Sequence, residues 1–77
     1  MRKLDEFIEI YFRVIDLDNK HAGSDERDRA QALLIQRENA LGLESEQLDE
    51  LLGLIDEYRT NENAYADVLA YYEKCRQ

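Results

Sequence analysis

The stretch LDEFIEIYFRVIDL, residues 4 to 17, decides the fold. Nine of its fourteen residues are apolar: Leu4, Phe7, Ile8, Ile10, Tyr11, Phe12, Val14, Ile15 and Leu17. Ile, Phe, Tyr and Val favour strands, and the alternation of Ile8, Ile10 and Phe12 around Glu9 fits one locally. The charges at Asp5, Glu6, Glu9, Arg13 and Asp16 instead keep to one side of a 3.6-residue period, so the pattern predicts a helix. At about 100° per residue the apolar positions span an arc of roughly 220°. A surface helix needs an apolar stripe of a little over ~100°. A helix with twice that width must be covered by two neighbours from its own chain, or by one neighbour and a second molecule. Ile10, Phe12 and Leu17 are the residues on which that choice falls.

Composition narrows what can surround this helix. A chain of 77 residues is read as one domain, 1–77. A domain this small buries only about 60% of its unfolded surface, so efficient packing or association has to supply its stability. The apolar fraction of 44% is that of a globular protein and argues against disorder, despite 36% charged residues. Proline is absent and there are three glycines, too few turn formers for an all-β fold. Single Cys75 excludes an intrachain disulfide framework and fits a reducing compartment. The apolar start is interrupted by Asp5, Glu6 and Glu9, so no signal peptide is read, and no run approaches the roughly 18 apolar residues of a membrane span. The expectation is a soluble, cytoplasmic protein that does not bind membranes.

Along the chain the signals predict helices over about 3–20, 25–41, 45–59 and 62–76. Lys20 and His21 suit the end of the first, and Gly23 offers the left-handed closing residue. Ser24 reads as the next N-cap, with Asp25 and Glu26 in the first turn. Ala30, Leu33, Leu34, the stem of Arg37, Ala40 and Leu41 form a narrower stripe, with Ala32 and Ile35 on its flanks. Gly42 ends that helix and Leu43 supplies the accompanying apolar contact. Ser45 reads as the third N-cap, before Leu48, Leu51, Leu52, Leu54, Ile55 and Tyr58. Gly53 sits on the far side of this helix at a cost of about 1 kcal/mol; either it is tolerated there or something outside the domain approaches it. The tyrosine spacing 58, 65, 72 would allow one continuous helix. The apolar face, however, moves by roughly 110° between 48–58 and 64–75, well beyond the ~20° drift per heptad. Thr60 and Asn61 are also cap types, which places a break near 60–63. Ala64, Tyr65, Val68, Leu69, Tyr72 and Cys75 then face inward, with Tyr71 at the edge. Short loops make successive helices neighbours. The expected architecture is all-α, a compact three- or four-helix bundle with antiparallel neighbours.

Several motifs fail on inspection. In Asp16-Leu-Asp18-Asn-Lys20, a calcium loop starting at Asp16 would put Lys20 at a ligand position and Arg27 in place of the final Glu. Gly23 to Leu48 has the outline of a helix–turn–helix, but its second helix would offer Glu46, Gln47, Asp49 and Glu50 to phosphates. That Asp-rich loop, an acidic helix start and Leu41-Gly42-Leu43 followed by Ser45 resemble tellurite-resistance TerB-like helical domains. The resemblance spans a minor part of the chain, and the Asp-Gly pair of those domains is absent. His21 and Cys75 are each single, and neither a zinc spacing nor a nucleophile–base pairing is visible. No catalytic residue, metal ligand or cofactor site is assigned.

Charge is what remains to indicate a partner. The net charge is −8, and residues 44–67 alone hold eight acids against Arg59. A nucleic-acid or anionic-membrane binder needs the opposite sign. The expected function is therefore a non-enzymatic protein-interaction module that binds another protein with a basic surface. Its acidic face would be Glu46, Asp49, Glu50, Asp56 and Glu57. Tyrosine is enriched at interfaces, so Ile10, Phe12, Leu17, Tyr58, Tyr65 and Tyr71 are the candidate apolar and aromatic contacts. Two alternatives stay open: an inhibitor that mimics nucleic acid, and a homodimer or larger assembly burying the first helix between chains.

Overall fold

Residues 4–17 do form a helix, and its wide apolar arc is used in two sectors. The computed structural model describes residues 2–21 and 23–76, with the side chain of Arg2 outside the description. Helix α1 runs Arg2–Asn19, α2 Ser24–Leu41, α3 Ser45–Thr60 and α4 Tyr65–Arg76, with a 3₁₀ turn at Glu62–Ala64 before α4. The described residues contain no strand. The chain divides into two compact units, Met1–Gly42 and Leu43–Gln77.

In the first unit α1 packs on α2. Ile10, Leu17 and Ala30 form its core, with Val14, Leu33 and Leu34 against them. Ile10 and Leu17 are 2% and 8% exposed, so both serve internal packing. Phe12 lies on the opposite edge of the arc, half-buried and tilted against Tyr11 with ring centroids 6.2 Å apart. The adjacent sector of α1 is withdrawn from water as well: Leu4 and Phe7 have no exposed surface and Ile8 very little. Phe7 and Tyr11 stack there, their rings 6.2 Å apart. Polar contacts pin both ends of the pair. Arg27 holds Asp18 near the loop, and Arg37 Nη1 donates to the Glu6 carbonyl at 2.7 Å at the far end. Arg37 is half-buried, and its head reaches across to α1. Ala40 and Ala32, by contrast, are exposed, as is Ile35 at 55%.

The helix ends correct several expectations by one or two residues. His21, not Gly23, takes the left-handed conformation, with φ +53. Gly23 is extended at φ −58, ψ 149 and is itself the N-cap of α2, so Ser24 is the first helical residue. A glycine permits a positive φ without requiring it, and histidine is among the side chains that tolerate one. At the end of α2 the expectation holds: Gly42 has φ +69 and its N–H donates to the Asn39 carbonyl. For α3 the N-cap is Glu44, not Ser45; the Glu44 N–H donates to Gln47 Oε1 at 3.1 Å, the return arm of a capping box.

In the second unit α3 and α4 pack on each other. Leu51 and Ile55 on α3, and Ala64, Val68 and Tyr72 toward α4, are its buried residues. The break expected near 60–63 is present. Thr60 ends α3, and Asn61 is extended at φ −139, ψ 103. The Asn61 side chain accepts from the Asn63 N–H at 3.2 Å, and Thr60 Oγ1 donates back to the Glu57 carbonyl. Lys74 and Arg76 lie in the last turn of α4, where cations oppose the helix dipole, and the Arg76 guanidinium stands 5.7 Å from the Tyr72 ring centre.

A Cβ added at Gly42 or Gly53 would meet no atom within 4 Å, so backbone conformation alone decides the cost. Gly42→Ala forces a left-handed alanine and should destabilise by about 1–2 kcal/mol. Gly53→Ala in the middle of α3 should stabilise by about 1 kcal/mol, and His21→Gly by about 0.5 kcal/mol. Urea denaturation of the three variants checks these signs; a stabilising Gly42→Ala would contradict the assigned C-cap.

Candidate functional site

Helix α3 carries its acids and its apolar residues on different sides because they alternate at three- and four-residue spacing. Leu51 and Ile55 occupy the buried line, while Glu46, Asp49, Glu50, Asp56 and Glu57 are all exposed. Gly53 lies among the exposed positions with open space above it. The five carboxylates therefore share the solvent side of one helix, and Arg59 is the basic residue in its last turn.

The acidic side meets a tyrosine through Glu50. Tyr71 Oη donates to Glu50 Oε2 at 3.1 Å, across 21 residues of sequence. Partial burial first, then hydrogen bonds with Cys75 and Glu50, push the Tyr71 phenol up to about 12. The neutral phenol is thus held between a carboxylate and a half-buried thiol. Tyr58 and Tyr65 meet at the α3–α4 corner with ring centroids 5.2 Å apart and planes 53° tilted, both half-buried. Tyr71 is half-buried too, whereas Tyr72 is 3% exposed and belongs to the core. Of the six expected apolar and aromatic contacts, Phe12, Tyr58, Tyr65 and Tyr71 retain exposed surface; Ile10 and Leu17 do not. The Glu50–Tyr71 contact is the feature missed by sequence reasoning, because no local spacing links residues on two separate helices.

The Asp16–Lys20 stretch belongs to the end of α1 and the turn after it. Lys20 Nζ pairs with Asp16 at 2.9 Å, and Asp18 is engaged by Arg27. The hydrogen bond and charge of Asp16 raise the Lys20 ammonium above its ordinary range, with Glu26 adding to the effect. Both aspartates are thus committed to cations of the chain itself. Among the described residues no group of three metal-binding side chains converges, and no helix is long and apolar enough to cross a membrane. No family model, curated protein or solved structure matches the chain.

The raised Tyr71 phenol has a sign that can be measured. A phenol pushed up in the folded state leaves stability unchanged below its ordinary value of 10.0 and removes stability as pH rises through about 12. Tyrosinate absorbance of the folded protein should include a component near 12 that Tyr71→Phe removes. A titration curve that Tyr71→Phe leaves unchanged near 12 would contradict the Glu50–Tyr71 contact.

Proposed function

We infer that this chain is a small, acidic, non-enzymatic interaction module whose α3 carboxylates meet a basic surface on another protein. The observation that carries the reading is the exposure of Glu46, Asp49, Glu50, Asp56 and Glu57 along one helix. The negative charge is concentrated rather than balanced there, since residues 44–67 hold Arg59 as their one base. A one-signed patch on a rigid element raises encounter rates with an oppositely charged partner and fixes its orientation, more than it adds to affinity. In this reading each helix pair is an antiparallel hairpin, which keeps the carboxylates at fixed spacing. The half-exposed rings of Tyr58, Tyr65 and Tyr71 border the acidic side and supply the apolar part of the contact. A free, half-buried Cys75 is compatible with work in the reducing cytoplasm.

A lysine-rich peptide is a sufficient probe of the charge term. The triple variant Glu46→Gln, Asp49→Asn, Glu57→Gln should associate with it on the order of tenfold more slowly at low salt and with a flatter salt dependence. Stopped-flow association at several ionic strengths checks this. Equal rates and equal salt slopes for the two proteins would overturn the reading.

A further inference from the structure

We draw no further inference here: the strongest candidate, the acidic solvent side of α3 around exposed Gly53, belongs to the site already described, and no unpartnered buried polar atom among the described residues points to a ligand there.

Discussion

Everything in this chain depends on covering α1. That helix withdraws Leu4, Phe7, Ile8, Ile10 and Leu17 from water, whereas α2 contributes Ala30 and Leu41, and α3 Leu51 and Ile55. At about 1.5–3 kcal/mol for each large apolar side chain, α1 alone supplies on the order of 10 kcal/mol of gross burial. A domain of ordinary stability keeps only about 5–15 kcal/mol after chain entropy is met. No other helix here supplies as much. Charges confined to one side of α1 make the arrangement possible, since they leave the remaining arc free to be buried in two sectors.

The charged groups follow the same division. Residues 1–42 carry a net charge of −2, and residues 43–77 carry −6. In the first unit several ions are engaged with the chain itself, Asp16 with Lys20, Asp18 with Arg27 and Arg37 with the Glu6 carbonyl. In the second, the carboxylates of α3 stand on the solvent side above the buried line Leu51–Ile55. Glu50 ties that side to α4 through the Tyr71 hydroxyl. The two units thus present different chemistry: a nearly charge-balanced helix pair, and a helix with concentrated negative charge.

Much of the fold was legible from spacing. The position of charges told helix from strand in residues 4–17, and the displaced apolar face told two helices from one across 45–76. Gly42 was legible because a glycine after a periodic apolar run has few other uses. The turn at 20–23 was less so: His21 and Gly23 both tolerate the turn, and loop closure chose the residue with the side chain. The acidic side of α3 followed from its three- and four-residue spacing alone. The fates of Ile10 and Leu17 did not follow, because one helix's arc does not say which part a neighbour takes. Ala30 settles it by letting α2 come close to both. Tyr71 was placed at an edge by periodicity, but its partner Glu50 depends on how α3 and α4 pack.

The central claim is that α1 is covered within its own chain on the side facing α2. Urea denaturation of Ile10→Ala and Leu17→Ala at two widely separated protein concentrations tests it most directly. Internal packing predicts a loss of about 2–5 kcal/mol for each variant, as for other buried aliphatic truncations, with midpoints independent of protein concentration. A loss below about 1 kcal/mol, or a midpoint that rises with protein concentration, would show that these side chains are covered by a second molecule instead.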